Sequence, residues 1–596
     1  MVRLLFASFG FGYQRISFRS TGCTKCCWKG RQSLLYNLMP LRLAMGGRGV
    51  TEVEGTNCSK KIEQKRPLTE AFNKPEKFFS AKKFIDLEAR EEELFRLLLD
   101  AVNVLETGTT LRVAGGWVRD KLLKINKEDP DIDLALDNMM GREFANKLQF
   151  YLKSRNITCG HIAIIQQNPE QSKHLETARV KVNGIYLDLV NLRKESYAHH
   201  SRIPEIQIGT PYEDAVRRDL TINSLFYNLN EDIIEDFSGK GFDDLKNRII
   251  RTPMEPKETL LDDPLRALRV IRFATRFDFD MDPALYNCCK SREVHVALGE
   301  KVSRERVGSE IDYMLKTASY VRGIGILYET GLYKAVFIHP RVIDSSYSLE
   351  DSFYQSLLSI SKLNWIRQRK ILSYHSAIEE HTILEELGVF SVAFHFYETF
   401  DDRNKVNLAQ YILRHCLKRR VRECDSIMTV LEGSTELMAH LINDVPSSDM
   451  SRGVDGEPLR LTIGRILKRT GSLWNIAFKV ACCRILKGDL QWDTFSHGRA
   501  NDIFRESRED SNTFLSRIRS WESFIIQLGI EDIHKWKPLF NGNEVLSLLP
   551  KLPRGPKMKQ ILDAQIEWML MNPKGTKEDC RKWLLDEYQV YCDPSM

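Results

Sequence analysis

Residues 1–51 contain no aspartate or glutamate, although the chain of 596 residues carries 81 acidic side chains in all. Eight lysines and arginines lie in this stretch among serine, leucine and phenylalanine. This composition is typical of an organelle transit peptide. A disordered basic arm is the alternative, which the frequent apolar residues disfavour. Without these eight residues the net charge of +6 becomes about −2, so net charge gives no evidence for a nucleic acid partner.

The transit peptide predicts a mitochondrial destination, with a plastid as the alternative that the composition leaves open. Met39 and Met45 lie near its end. Translation that starts at either residue would supply a shorter form without the targeting signal. We therefore expect an organellar protein with cytosolic and nuclear forms from internal starts.

The chain also lacks a long apolar run and a regular cysteine pattern. No apolar stretch approaches the roughly 20 residues that a membrane-spanning helix needs, so we expect no membrane span. The 13 cysteines are scattered, which suits neither a disulfide framework nor a zinc ribbon. Cys23, Cys26 and Cys27 resemble half of a metal site, and no second half lies nearby. A reducing compartment is the expectation.

Hydrophobic patterning predicts an α+β fold with a mixed head and an all-helical remainder. Residues 84–104 have helical spacing. Six segments between 111 and 251 have strand character; they read LRVAGG, DIDLAL, HIAII, ARVKV, IYLDLV and DIIEDF. Beyond Pro264 nearly every pattern is helical.

A glycine turn follows the first of these strands. Leu111–Ala114 runs into Gly115 and Gly116, and a helix is predicted to begin near Trp117. Exposed amides at a helix N-terminus beside a turn without side chains favour phosphate, and Arg119 could add a charge-assisted contact. Alone, a Gly-Gly pair is usually only a tight turn.

Two carboxylates follow on the next predicted strand. Asp131 and Asp133 are two residues apart, so both point to one face while Ile132 and Leu134 point to the other. Adjacent like charges repel unless a cation lies between them, and a hard divalent ion such as Mg²⁺ takes oxygen ligands and bridges to phosphates. Alone, Asp-x-Asp is more often a solvated strand end.

The glycine turn followed by Asp-x-Asp resembles the polymerase-β nucleotidyltransferase superfamily. In that superfamily two metal ions support attack of a 3′-hydroxyl on an α-phosphate, and Asp131 and Asp133 match the catalytic, metal-binding pair. A later strand often supplies a third carboxylate. Asp188 in YLDLV has the matching context, although some branches use only the pair.

Four later motifs resemble, in order and spacing, those of class II CCA-adding enzymes, which are tRNA nucleotidyltransferases, and most closely the fungal and plant members. They are RRDLTIN (217–223), DFSGKGFDDL (236–245), DDPLRALRVIRF (262–273) and SRERVGSE (303–310). The glycine loop departs from the family's Gly-Gly, because it reads Gly-Lys-Gly at 239–241. The resemblance implies addition of CCA to the 3′ end of tRNA from CTP and ATP.

Selection of cytosine and adenine can be explained by hydrogen bonding. Cytosine and adenine both present an amino donor beside a ring-nitrogen acceptor, which a carboxylate and a guanidinium complement. Asp263 and Arg266 match the family's base-reading pair. The resemblance also implies nucleotide contacts by Arg269 and Arg272, and contacts with sugar and phosphate by Arg218 and Asp219.

The resemblance further implies a polymerase-β-like head followed by an all-α neck, body and tail. The expected divisions are a transit peptide (1–51), a linker (52–83), the head (84–251), the base-reading neck (252–330), and the tRNA-binding body and tail (331–596). Candidate tRNA contacts are the basic runs RHCLKRRVREC (414–424) and KLPRGPKMKQ (551–560). A solvated helix face is the alternative for each run.

Two other functions remain open. A template-independent poly(A) polymerase shares the head and most motifs. A catalytically inactive tRNA-binding protein would keep the fold, but the intact Asp131, Asp133, Asp263 and Arg266 disfavour it. The sequence does not predict the oligomeric state.

Overall fold

A computed structural model describes Phe79–Ala81 and residues 85–592, except 126, 128, 158, 166–176, 197–204, 370–378, 444, 446–456, 491–503, 507–510 and 554. The predicted transit peptide, the cysteines within it, Met39 and Met45 lie outside the described residues. So do most of the linker and Arg554.

The head is built on a mixed sheet of eight strands. The strands are β1 (Phe79–Ala81), β2 (Leu111–Ala114), β3 (Ile132–Leu136), β4 (Ala163–Ile165), β5 (Thr177–Val182), β6 (Ile185–Asn191), β9 (Leu225–Asn228) and β10 (Ile233–Asp236). Their order in the sheet is β1-β10-β9-β2-β3-β6-β5-β4, and within this sheet only β3 and β6 pair in parallel. A separate pair, β7 (Arg193–Ser196) and β8 (Glu205–Ile208), is antiparallel.

All six predicted strands are present, and the α+β class is confirmed. The apolar run after Asp219 forms no α-helix. Only a 3₁₀ turn at Thr221–Asn223 forms, and Leu225–Asn228 is a strand between β2 and β10. Every residue of this strand is buried, so it lacks the alternation that marks a half-exposed strand.

Helices dominate the rest of the chain. In the head and neck they are α1 (Ala89–Val104), α2 (Gly116–Leu122), α3 (Gly141–Ser154), α4 (Pro211–Val216), α5 (Gly241–Asn247), α6 (Pro256–Asp262), α7 (Leu265–Phe277), α8 (Pro283–Cys289), α9 (Arg292–Lys301), α10 (Arg304–Leu315) and α11 (Tyr320–Glu329). Beyond them lie α12 (Tyr333–Val336), α13 (Leu349–Gln368), α14 (Glu379–Ser391), α15 (Leu408–Tyr411), α16 (Val421–Leu441), α17 (Leu459–Thr470), α18 (Trp474–Ile485), α19 (Ser511–Gln527), α20 (Gly542–Leu548), α21 (Pro556–Met571) and α22 (Lys577–Glu587).

The expectation of an all-helical remainder missed three short strand pairs. These are β11 (Ile249–Ile250) with β12 (Asp280–Met281), β13 (Glu398–Asp401) with β14 (Asn404–Asn407), and β15 (Gly488–Leu490) with β16 (Phe504–Glu506). Their strands have two to four residues each, which is too short for a period-2 pattern to be recognised.

The described residues form one large apolar core and two smaller ones. The large core runs from α1 through the neck to α21. A small cluster of Ala114, Ala135, Leu192, Ala215 and Phe226 lies on one face of the head sheet. The last three helices enclose a separate core around Val545, Leu549 and Ile561. No helix in the described part of the chain is long and apolar enough to cross a membrane.

Candidate active site

At the glycine turn between β2 and α2, the backbone lies very close to the guanidinium of Arg218. Gly115 has a φ of 67° and its N–H donates to the carbonyl oxygen of Leu225 at 2.9 Å. A Cβ at this position would lie 2.6 Å from Nη1 of Arg218. Only glycine satisfies both the positive φ and the contact. Helix α2 begins directly at Gly116.

The two aspartates lie at the start of β3, on the side of the sheet that carries Ala135. Asp131 precedes the strand and Asp133 is its second residue, and both side chains are exposed. The side chain of Asp133 is exposed, yet the pKa of its carboxyl group is raised to about 6. Crowding by surrounding protein atoms is the largest cause, and repulsion from Asp188 and Asp131 adds to it. The charge of Arg218 acts in the opposite direction but is outweighed. This charge repulsion is what a bound divalent cation would relieve.

Asp188 lies beside Asp133, because the parallel register of β3 and β6 pairs these two residues. Its carboxylate is held by Arg179 of β5, whose Nε and Nη2 each donate to it at 2.6 Å. Within the described ranges, no group of three or more histidine, cysteine or acidic side chains is arranged to hold a metal ion. Asp131 and Asp133 are exposed, and in the described part of the chain no basic side chain bonds to either, whereas Asp188 is paired with Arg179.

Arg218 reaches the glycine turn from the end of α4. Asp214 of that helix accepts from Nη2 of Arg218 at 2.8 Å and also pairs with Arg217. Burial would raise the pKa of Asp214, but the charges of Arg218 and Arg217 lower it to about 2. Asp214 thus stays ionised and fixes the guanidinium of Arg218 against Gly115, in the field of Asp133.

Asn223 joins three of the predicted site residues. Its Nδ2 donates to Asp219 at 2.9 Å, its carbonyl oxygen accepts from Arg218, and its Oδ1 accepts from Arg119. Arg119 is 4% exposed. Its guanidinium pairs with Asp120 at 2.6 Å and stacks on Phe277, so in this conformation it is committed to protein contacts.

The neck helix α7 contributes the remaining predicted residues. Arg269 donates to Asp219 at 2.8 Å through Nε, and Arg272 donates to Glu310 of α10 at 2.6 Å. Burial alone would raise the pKa of Asp219, but Arg269, Asn223 and Arg266 bring it well below its usual range. The series Arg119–Asn223–Asp219–Arg269 thus connects the head to the neck.

The predicted base-reading residues do not pair with each other. Asp263 lies between α6 and α7, and its carboxylate accepts from Nη2 of Arg306 on α10 at 2.8 Å. Arg266 instead donates to the carbonyl oxygens of Arg217 at 2.7 Å and Thr259 at 3.3 Å. Despite burial, the charge of Arg306 brings the pKa of Asp263 below its ordinary value.

Sequence reasoning missed four residues that organise this site. Arg306 and Asn223 fall within the motifs SRERVGSE and RRDLTIN but were given no role, and Asp214 and Arg179 were not singled out. A signal exists for two of them: Asp214 precedes Arg217 and Arg218 by three and four residues, which is ion-pair spacing on a helix. Arg179 alternates with buried residues on β5 and faces the side that carries Asp188. The Arg306–Asp263 contact spans 43 residues and leaves no local pattern.

A glycine turn, a carboxylate pair on a mixed sheet and an arginine-rich neck helix joined to the turn through Asn223 and Asp219 together define a polymerase-β-like nucleotidyltransferase. The sequence of residues 111–251 matches the family described as the poly A polymerase head domain. Residues 293–343 match the family described as a probable RNA and SrmB-binding site of polymerase A.

Relatives at the level of the whole chain are more specific. The chain is 33% identical to the tRNA nucleotidyltransferase cca1 of Schizosaccharomyces pombe, over 84% of this chain and 96% of that protein. It is 31% identical to the mitochondrial CCA tRNA nucleotidyltransferase of Saccharomyces cerevisiae, over 79% and 86% of the two chains. The protein therefore belongs to the tRNA nucleotidyltransferase family, and the resemblance found in its motifs is confirmed.

The fold agrees with this assignment. A crystal structure of the Bacillus stearothermophilus CCA-adding enzyme in complex with CTP superposes with a TM-score of 0.54 at 16% identity, covering 85% of this chain and 99% of that one.

Proposed function

We propose that this protein adds CCA to the 3′ end of tRNA without a template, from CTP and ATP and with release of pyrophosphate. The observation that carries the proposal is that the antiparallel pairing of β2 with β3 brings Asp131 and Asp133 to the end of β2, where the Gly115 turn begins, in a chain whose full-length relatives are named tRNA nucleotidyltransferases. Gly115 and Gly116 receive the triphosphate, whose negative charge Arg218 stabilises. In this proposal Asp131 and Asp133 are the catalytic, metal-binding residues.

Mg²⁺ is the proposed cofactor, and the carboxylate pair fits it because both ligands are oxygen atoms whose mutual repulsion a cation removes. When bound, it would activate the attacking 3′-hydroxyl and neutralise the leaving pyrophosphate. The chain's own residues orient the substrates. Asp263 accepts a hydrogen bond from the amino group of cytosine or adenine. Arg266 donates to the ring nitrogen once the base replaces the carbonyl oxygens to which Arg266 now donates.

Arg306 has a positioning role in this proposal, because its guanidinium keeps the carboxylate of Asp263 ionised and oriented. Arg269 holds Asp219, which contacts the ribose together with Arg218, and a contact with the 2′-hydroxyl favours ribonucleotides. Arg272, through Glu310, braces α7 against α10. For Arg119 the proposal is a contact with phosphate, as predicted from the sequence, which requires its guanidinium to leave Asp120.

The proposed function is tested by incorporation on a tRNA transcript that lacks its 3′ terminal CCA. With CTP alone we expect two cytidines, and with CTP and ATP one further adenosine. Addition of adenosines alone would instead identify a poly(A) polymerase. No addition by the wild-type protein, with tRNA binding retained, would identify an inactive tRNA-binding protein.

Asp131→Ala tests the catalytic role of the carboxylate pair. We expect CMP incorporation to be abolished while the melting temperature and tRNA affinity stay unchanged, because the side chain of Asp131 is exposed. CMP incorporation retained by Asp131→Ala would refute the metal role.

We also propose a mitochondrial location, supported by the acid-free basic stretch 1–51 and by the mitochondrial relatives of Saccharomyces cerevisiae and Candida glabrata. N-terminal sequencing of the organellar and cytosolic forms would test this location and the use of Met39 or Met45.

A further inference from the structure

Tyr313 of α10 is an exposed aromatic side chain beside the neck arginines. It is 54% exposed and follows Arg306 and Glu310 of the same helix by seven and three residues. Residues three and four apart share one face of a helix. Arg306 donates to Asp263 from this face, and Glu310 accepts from Arg272. Tyr313 therefore extends the face of α10 that borders the proposed base-reading site.

The guanidinium of Arg272 lies over the ring of Tyr313. Its Cζ is 5.5 Å from the ring centroid of Tyr313 and 4.1 Å from that of Phe273. Nε of Arg272 donates to Glu310 at 2.6 Å, and the arginine side chain is only 11% exposed. Arg272 is thus held in place and orients the tyrosine ring by a cation–π contact, while more than half of Tyr313 stays accessible.

Tyr313 is the exposed end of a series of rings and guanidiniums. Phe273 is 5% exposed, and Cζ of Arg119 and of Arg269 lies 5.3 and 5.6 Å from its ring centroid. Phe273 also stacks on Phe277, with centroids 5.8 Å apart and ring planes at 9°. The two phenylalanines are covered by protein, so they cannot receive a ligand. A planar ligand ring can be added to the series at Tyr313.

We infer that Tyr313 stacks a base of the single-stranded 3′ end of the RNA substrate, behind the nucleotide that is being added. Unpaired bases stack on exposed aromatic side chains, and this contact tolerates any base because every base has a π-face. The inference rests on the proposed function and deepens it by naming a residue that binds the end of the RNA.

The spacing along α10 assigns the stacked base to the RNA rather than to the incoming nucleotide. The seven residues from Arg306 to Tyr313 correspond to about 10 Å along the helix axis. Successive nucleotides of one strand are about 3.4 Å apart, so this distance equals about three base steps. The base that Asp263 reads lies at the Arg306 end of this face, and a base on Tyr313 belongs further back in the strand.

Tyr313→Leu tests the stacking contact in the full-length protein. Leucine removes the ring but keeps an apolar side chain and a high helix propensity. We expect the KM for tRNA that lacks its CCA end to rise at least about fivefold, with the KM for CTP and the melting temperature as in the wild type. Tyr313→Phe keeps the ring and should restore the KM for tRNA.

Phe150→Leu is the matched control. Phe150 is a helical aromatic residue that is 71% exposed. Its helix, α3, packs on the face of the head sheet that carries Ile132 and Leu134, opposite the face of Asp133. This variant should have the wild-type KM for tRNA.

Abasic RNA substrates identify the stacked base. One of the last four nucleotides of the RNA is replaced by an abasic residue in each substrate, and the dissociation constant is measured for the wild type and for Tyr313→Leu. At the stacked position the wild type should lose affinity at least about fivefold. Tyr313→Leu should lose no more at that position, because both changes remove the same contact.

Four results would overturn the stacking contact. Tyr313→Leu could have the wild-type KM for tRNA; Tyr313→Phe could lose as much as Tyr313→Leu, which would assign the effect to the hydroxyl; Tyr313→Leu could change the preference for CTP over UTP, which would indicate a role in packing Arg272; or the losses could be additive at all four abasic positions. A wild-type protein that incorporates no CMP would instead contradict the proposed function.

Discussion

The carboxylate of Asp263 is held by Arg306, 43 residues further along the chain, with Nη2 of the arginine 2.8 Å from Oδ2. The side chains of Arg306 and Asp263 are 16% and 19% exposed, so the pair is only partly screened by solvent. An oriented carboxylate can discriminate an amino donor from a carbonyl acceptor on the base, whereas a freely rotating one cannot. In the proposed function, Arg306 therefore acts on base selection through Asp263.

Arg306→Gln is expected to relax base selection. The KM for CTP and for ATP should rise about tenfold, and the preference of kcat/KM for CTP over UTP should fall by a similar factor, since a bidentate base contact is worth about 1–3 kcal/mol. Steady-state kinetics with all three nucleotides measure this. Arg306→Lys, which keeps the charge, should recover part of the preference; an equal loss of kcat for every nucleotide would indicate a purely structural role.

Gly115→Ala should abolish most activity, and Gly108→Ala should not. Both glycines have positive φ, 67° and 61°, but a Cβ on Gly108 meets nothing within 4 Å, whereas one on Gly115 meets Nη1 of Arg218 at 2.6 Å. Each substitution should cost about 1 kcal/mol of stability from backbone strain. We expect kcat/KM to fall about a hundredfold in Gly115→Ala alone. Similar activity of the two variants would show that the contact between Arg218 and the Gly115 turn does not contribute to activity.

Asp188→Asn should lower CMP incorporation far less than Asp133→Asn does. Arg179 occupies both oxygens of Asp188 at 2.6 Å, so this carboxylate already has a cation. We expect a loss of at most about tenfold for Asp188→Asn, against at least about a hundredfold for Asp133→Asn. Incorporation assays at several Mg²⁺ concentrations compare the two, and equal losses would make Asp188 a third metal ligand.

Asp214 makes folding sensitive to acid. Its pKa of about 2 in the folded protein lies below the value of about 3.9 for an unfolded chain. The resulting stability, about 2 kcal/mol, is present above pH 4 and is lost as the pH falls from about 4 to about 2. Asp214→Asn should therefore lower the free energy of unfolding at pH 7 and flatten its decline in that range. Urea unfolding at pH 7, 4 and 3 tests this. The prediction is contradicted if the free energy of unfolding declines with falling pH in Asp214→Asn as it does in the wild type.

The sequence predicted those parts of the site that depend on local spacing. The glycine turn, the shared face of Asp131 and Asp133, and the row of Arg266, Arg269 and Arg272 follow from strand and helix periods. Strand β9 could not be recognised in the same way, because a strand buried on both faces shows no alternation.

Partners that are distant in sequence were beyond prediction. Helical spacing places Asp263 near Arg266, but it does not show that α10 approaches from the other side and supplies Arg306. Likewise, Asp188 was expected as a third carboxylate from its strand, and the register of β5, which brings Arg179 opposite it, is a tertiary property. Which basic side chain pairs with each of these carboxylates is determined by packing between secondary-structure elements.

The C-terminal helices have a core of their own, yet α21 belongs to two cores. Its Ile561 lies in the small one, while Ile566 and Leu570 lie in the large one. Between them, Gln565 is fully buried and bonds both the N–H and the carbonyl oxygen of Phe540. Opening of the tail would therefore break apolar contacts in both cores, and any ligand that binds only the closed tail shifts that opening equilibrium by mass action.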